Sequence, residues 1–315
     1  MNRGSFFHEK GNKMGQDEIV TQYVEKGQAA FADARYSEAA AELQSAYDLS
    51  QTVAINHLLV RALVADQQFK MAQGIAFEAA TSYYDDKNDA ELYLMILIKN
   101  QQFLKAYEFI YALPQTMQAK MLAEVATNEQ LFAQNQATTL KTIARQFYHL
   151  SDVSPYEQQE RLQMANQLPL TEYLKGAKFL LVDPFLSVIG RVTIIDQLRR
   201  LHIQETVAMN WFDETLSITP SKLLPLEDMA IYQHIQTQLN QLEQSIGPDL
   251  ISVMSEQNHL MLMMAYPNLT TIITDEEAWV TGMVAEVLGE EQSSEPLTQR
   301  NWRAKLTHEM MLFLQ

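Results

Sequence analysis

The feature that most constrains this chain is a recurrence. The stretch "YSEA" (Tyr36–Ala39) returns as "FKMA" (Phe69–Ala72) and again as "FLKA" (Phe103–Ala106), an aromatic followed three residues on by alanine, at spacings of 33 and 34 residues. A period near 34 is the mark of helix–turn–helix units that stack because no single pair can bury its own apolar face. Three units in register predict helical hairpins over roughly residues 17–115, and Pro114 supplies a natural stop after the third.

The first unit carries Tyr23, Gly27, Ala34-Arg35-Tyr36, Ala39, Leu43 and Ala46 at tetratricopeptide-repeat (TPR) signature positions, and in this the chain resembles TPR proteins. The second unit keeps Phe69, Ala72, Ala76 and Ala79 with Val60 in place of the crossing glycine; the third keeps Phe103 and Ala106 with Leu94 there. The resemblance implies an all-α fold, a TPR-like α-solenoid wound as a right-handed superhelix. It places Gly27 and Ala39 at a close helix crossing. It also implies a groove lined by the first helix of each repeat: Val24, Gln28 and Phe31, then His57, Arg61 and Val64, then Glu91, Met95 and Ile98. This mixture suits an amphipathic helix or an extended peptide, unless the chain's own helices fill the groove. The Lys/Asn clamp with which some TPR domains grip a terminal carboxylate is missing, because its positions hold Val24, Gln28, Leu58, Asn88 and Leu92.

Beyond the repeats, "QTMQAKMLAEVATNEQLFAQN", "LKTIARQFYHL" and "YEQQERLQMANQL" keep apolar residues at helical spacing without a period. The TPR-like repeats are expected to extend over residues 17–150 and a helical C-terminal region over 151–315. Asp183-Pro184 reads as a helix start running to Leu201, with aspartate as cap and proline in the first turn. The period then changes to two. Val207, Met209 and Trp211, then Leu216 and Ile218 across the polar Asp213-Glu214-Thr215, predict a β-hairpin at about 206–219. Helices are expected at about 226–245, 249–265 and 275–288, the last opened by a capping box from Thr274 to Glu277. "GEEQSSEP" at 289–296 reads as a linker before a terminal helix. The whole layout resembles an uncharacterised group of TPR proteins from Gram-positive bacteria, a resemblance that implies no catalytic residue.

Charge bears on partners. Residues 1–150 hold 13 basic against 17 acidic side chains, and residues 151–315 hold 10 against 22; from Leu201 to Gln299, Lys222 is the single Lys or Arg facing fifteen acids. Such a segment repels phosphate backbones and anionic lipid, so nucleic acid and membrane are not expected partners. It is either a solvated face or a docking surface for a basic partner. The chain has no cysteine, which excludes disulfides and thiolate metal sites and fits a cytoplasmic protein. Its longest apolar run, "HLMLMMAY" (His259–Tyr266), is far below the ~18–20 residues of a membrane span. Residues 1–16 stand apart as a leader or a disordered tail. Glu9 to Lys13 are encodable as a purine-rich ribosome-binding sequence just ahead of the Met14 codon, so Met14 is a candidate true start.

Catalytic patterns are missing. The histidines at 8, 57, 149, 202, 234, 259 and 308 form no metal-ligand spacing, and no nucleophile elbow, phosphate-binding loop or dinucleotide fingerprint occurs. The acids at Asp213-Glu214 and Asp275–Glu277 are read as turn and helix-start residues, and the methionines of "MLMMAY" as core. The expectation is therefore a protein that is not an enzyme and carries no cofactor or metal: an interaction scaffold for a protein or peptide, or else a sensor of a peptide or small ligand.

Overall fold

The computed structural model describes residues 5–289 and 295–313. These hold seventeen α-helices and one two-stranded antiparallel sheet, in two compact units: Met1–Lys141 with Asn166–Leu170, and Thr142–Ala165 with Thr171–Gln315.

The first unit contains α1 (Ser5–Ala32), α2 (Tyr36–Leu49), α3 (Val53–Ala65), α4 (Phe69–Glu78), α5 (Lys87–Lys99), α6 (Phe103–Ala112) and α7 (Gln115–Asn135). The first of these begins inside the stretch set apart as a leader. Each helix packs on the next in sequence, and α1, α3, α5 and α7 also touch in succession.

The repeated aromatics Tyr36, Phe69 and Phe103 are the first residues of α2, α4 and α6. Two residues before each, the backbone is left-handed, at Ala34 (φ 59°), Gln67 (φ 62°) and Gln101 (φ 61°). The next amide donates to the carbonyl five residues back: Arg35 to Ala30 (2.9 Å), Gln68 to Leu63 (2.8 Å) and Gln102 to Leu97 (2.8 Å). This is a helix-terminating Schellman turn, repeated residue for residue. The alanines it carries into the next helix (Ala39, Ala72 and Ala106) are fully buried. At the first hairpin the approach is closest: a Cβ on Gly27 would lie 2.6 Å from Leu43 Cγ and 3.3 Å from the Ala39 carbonyl oxygen. The apolar core of these hairpins runs from Ala30 and Leu43 through Leu59 and Leu63 to Tyr83 and Ile96.

The second unit takes residues from α8 (Ala137–Tyr148) and α10 (Leu170–Leu181), together with α9 (Pro155–Ala165), α11 (Val188–Arg200) and the hairpin β1 (Val207–Trp211) and β2 (Glu214–Ile218). It continues with α12 (Ala230–Gln241), α13 (Glu243–Ile246), α14 (Pro248–Ala265), α15 (Leu269–Ile272), α16 (Glu276–Leu288) and α17 (Leu297–Phe313). The strands pair Val207 with Ile218 through Trp211 with Glu214, and Val207, Met209 and Trp211 are buried.

Four local expectations are corrected. The helix placed at Asp183 starts at Val188, because Ser187 Oγ accepts from the Gly190 amide (3.1 Å) while Asp183 accepts from the Phe185 amide and the Ser151 hydroxyl. The hairpin turns at Phe212-Asp213 rather than 213–215. Phe212 adopts φ 51°, and Glu214 and Thr215 belong to β2. The segment 226–245 is a 3-10 turn at Leu226–Asp228 followed by α12 and the start of α13, not one helix. The cap of α16 is Asp275, which accepts from the Ala278 amide (2.9 Å), while the Thr274 amide is taken by Gln299 Oε1 (2.9 Å). The expected linker at 289–296 falls mostly on residues 290–294, outside the described residues.

Candidate functional site

The nine groove positions lie on α1, α3 and α5 in different environments. Gln28 and Arg61 are exposed, and Phe31 and Met95 show 38% and 37% of their surface. Val24 and Val64 pack partly against the core of the hairpins, Ile98 is buried, and His57 and Glu91 are half-buried. The Phe31 ring meets Tyr36 edge-on at 5.4 Å, so the end of α1 presents an aromatic edge over its own turn.

Two of the polar positions enter one network. His57 Nδ1 lies 3.1 Å from Asp89 Oδ2, and Arg61 donates to Asp89 Oδ1 at 2.6 Å. His57 Nε2 is 2.7 Å from Ser82 Oγ, and the imidazole lies tilted by 37° against the Tyr83 ring, centroids 4.4 Å apart. Beneath it, the buried Asn56 uses its whole amide. It donates to Tyr47 Oη (3.1 Å) and the Ile75 carbonyl (2.7 Å), and it accepts from the Tyr83 hydroxyl (2.8 Å). Burial, with Asp89 nearby, pushes the Tyr83 phenol well above the ordinary range, so this donor stays protonated across the physiological range. Farther along, Lys120 of α7 reaches Glu91 of α5 at 3.2 Å.

Ser82, His57 and Asp89 have the connectivity of a hydrolytic triad, and the geometry argues for a lock instead. A nucleophile must hand its proton to the base and face a set of free oxyanion donors. The Ser82 hydroxyl is within 2.7 Å of the Ala79 carbonyl, which competes with His57 for its proton, and the Ser82 amide donates to that same carbonyl. Asp89 is shared between His57 and the Arg61 guanidinium, which diminishes its pull on the imidazole. The network fixes α3 against the turn after α4 and the start of α5, and holds Arg61 at the surface.

The groove register located His57 and Arg61; it missed Asp89, Ser82, Asn56 and Tyr83. A signal was present. Arg61–Asp89, Lys120–Glu91, Tyr83–Asn56 and Tyr47–Glu78 are separated by 28, 29, 27 and 31 residues, somewhat less than one repeat, as expected for contacts between successive units. Among the described residues no group of three or more His, Asp or Glu is placed to hold a metal ion, and no helix is long and apolar enough to cross a membrane. The sequence matches no protein-family model, and neither a curated protein nor a solved structure matches it significantly.

Proposed function

We propose that this protein is a TPR-type interaction scaffold of the cytoplasm, with a groove on α1, α3 and α5 that takes a peptide or an amphipathic helix from a protein partner. The observation that carries this reading is the thrice-repeated turn at Ala34, Gln67 and Gln101, each followed by an aromatic and a buried alanine. It supports a repeat array, and repeat arrays act through extended binding surfaces. Within the groove, Phe31, Arg61 and Met95 are exposed. Aromatic, Arg and apolar anchors are the side chains that dominate interfaces, and the His57–Asp89 network holds Arg61 in position in advance.

The test is a selection of peptides from a random display library on the full chain. Winners are then titrated into a Phe31→Ala/Arg61→Ala/Met95→Ala variant. A variant that melts like wild type and no longer binds supports the groove. A variant that binds unchanged, with binding abolished by moderate salt, moves the site to the acidic second unit, because exposed charges are screened beyond about 8–10 Å at physiological ionic strength.

A sensor of a small ligand is the second reading. What favours it is a cavity of about 180 Å³ in the second unit, where Arg199, Glu227, His259 and Tyr266 converge over apolar Leu226 and Met263. A few polar groups over an apolar floor is the common build of a small-molecule site, and a volume below the roughly 300–1,000 Å³ usual for such sites restricts the ligand to a few heavy atoms.

A further inference from the structure

The second unit holds another cavity, of about 220 Å³, walled by thioethers. Met261 of α14, Met283 of α16 and Met310 of α17 line it beside the polar Gln257 and Thr307, the Thr307 hydroxyl lying 3.8 Å from Met261 Sδ, and Met311, Val287 and Glu286 stand around it. The first three methionines are buried, whereas Met311 and Val287 keep 55% and 42% of their surface exposed, as at a mouth. Leu288 and Leu312, their chain neighbours, are also half-exposed.

Methionine fills irregular gaps because its chain is flexible and its sulfur polarisable, and the same properties let a methionine surface mould itself to a guest. Here the thioethers surround open space. The volume is below the roughly 300–1,000 Å³ of a typical small-molecule site, so it suits one large apolar side chain projecting from a larger partner.

Charge identifies that partner. From Leu201 to the end of α17 there are four Lys or Arg, namely Lys222, Arg300, Arg303 and Lys305, against sixteen acids. Two cations of α17 are already engaged: Arg303 pairs with Glu286 and Glu295, and Lys305 with Asp213. Among the described residues, Asp249, Glu256 and Glu277 on α14 and α16 form no ion pair. An apolar pocket on a unit with surplus carboxylates complements a helix with one apolar and one basic face. We propose that this cavity seats the apolar anchor of a basic amphipathic helix contributed by a partner protein, a site separate from the groove on α1, α3 and α5.

The test uses a fluorophore-labelled synthetic Leu/Lys amphipathic helix with a single Trp, titrated into the full chain by anisotropy at two salt concentrations. The same peptide with Trp→Ser, and with every Lys→Glu, serves for comparison. Met311→Glu is the decisive variant: it blocks the mouth while adding a negative charge. The site predicts that Met311→Glu weakens binding by about tenfold or more, as does loss of the Trp anchor. It also predicts that the Lys→Glu peptide does not bind, and that the Phe31→Ala/Arg61→Ala/Met95→Ala variant binds as wild type. Tighter or unchanged binding to Met311→Glu would reduce the attraction to bulk charge and overturn the proposal. So would equal binding of the Trp→Ser peptide. A concentration-dependent dimer in sedimentation, abolished by Met311→Glu, would also overturn it, making the occupant a second copy of this chain. Methionine methyl resonances, with Met283 and Met310 shifting on titration, report occupancy directly and would stay still if the peptide bound elsewhere.

Discussion

Glu295 and Arg303 meet inside the second unit as a fork-to-carboxylate pair. Arg303 Nη2 is 2.8 Å from Glu295 Oε2, and Nε is 3.2 Å from the same oxygen. Both side chains are nearly inaccessible, and Gln299 Nε2 adds a hydrogen bond to Glu295 Oε1 at 3.2 Å. The pair lies directly against α16 because residue 282 is glycine; a Cβ there would stand 2.7 Å from Glu295 Oε2 and 3.0 Å from Arg303 Nη2.

Removing Glu295 takes away the buried partner of Arg303 and leaves it only the half-exposed Glu286, so Glu295→Gln is expected to destabilise by about 1–3 kcal/mol. Gly282→Ala should also destabilise, because the methyl forces the carboxylate out of register. A double Glu295→Met/Arg303→Met variant should lose much less than the losses of Glu295→Met and Arg303→Met, measured singly, added together. Urea unfolding of the four proteins checks this, and additive losses would contradict it.

Two helical glycines are expected to respond in opposite directions. Gly27 faces Leu43 and the Ala39 carbonyl with no room for a Cβ, whereas Gly74 in α4 has nothing within 4 Å of that position. Gly27→Ala should destabilise by about 1–3 kcal/mol, as overpacking does, and Ala39→Leu on the facing helix likewise. Gly74→Ala should stabilise by about 0.5–1 kcal/mol, since alanine is the better helix former. Thermal melts of the three variants separate a packing effect from a propensity effect.

The buried Asn56 side chain makes three hydrogen bonds that join α3 to its neighbours. Asn56→Leu is expected to leave the Ile75 carbonyl and the Tyr83 hydroxyl without this partner, at about 1–3 kcal/mol for each group left unsatisfied. Native-state hydrogen exchange should show α3 and α4 losing protection together. A loss confined to α3 would mean that the network does not join the two helices.

Alkaline solution should weaken the fold. Burial raises the phenols of Tyr83, Tyr107 and Tyr266 well above the ordinary range. Above pH about 10 the unfolded chain gives up these protons while the native chain keeps them. Native stability from this source is complete below that pH and declines as pH rises through the gap between the two states. Urea midpoints should fall above pH about 10, and tyrosinate absorbance from the buried phenols should appear together with unfolding. A flat midpoint would show that the phenols titrate freely.

Much of the helical first unit is legible in the sequence because its period is written in side-chain size. Tyr36, Phe69 and Phe103 mark helix starts, and the alanines three residues on mark close packing. The turns themselves are not legible, since Ala34, Gln67 and Gln101 are not residues that announce a left-handed backbone. The hairpin is visible in the alternation of Val207, Met209 and Trp211. Its turn is not, because Phe212, an aromatic rather than a polar turn residue, takes the left-handed position. The Phe212 ring packs edge-on against Trp302 at 5.0 Å, with Lys305 above both rings, so tertiary contact overrides turn chemistry there. Asp89, an acid in the first turn of α5, carries no local signal of its network; only its separation of 28 residues from Arg61, close to one repeat, distinguishes it. The methionine-walled cavity was hidden for a related reason. Apolar spacing in "HLMLMMAY" reports a buried face, but not whether that face is filled.

The left-handed turns also make the period measurable without coordinates. An L-residue in that conformation is under a local steric penalty of about 1–2 kcal/mol that glycine escapes. Ala34, Gln67 and Gln101 are well separated along the chain, so relief at each should add to relief at the others. A scan placing glycine at every position from 30 to 105 would therefore show losses through the helices, broken by three isolated gains. The intervals between those gains would be the length of the repeat, read by calorimetry alone.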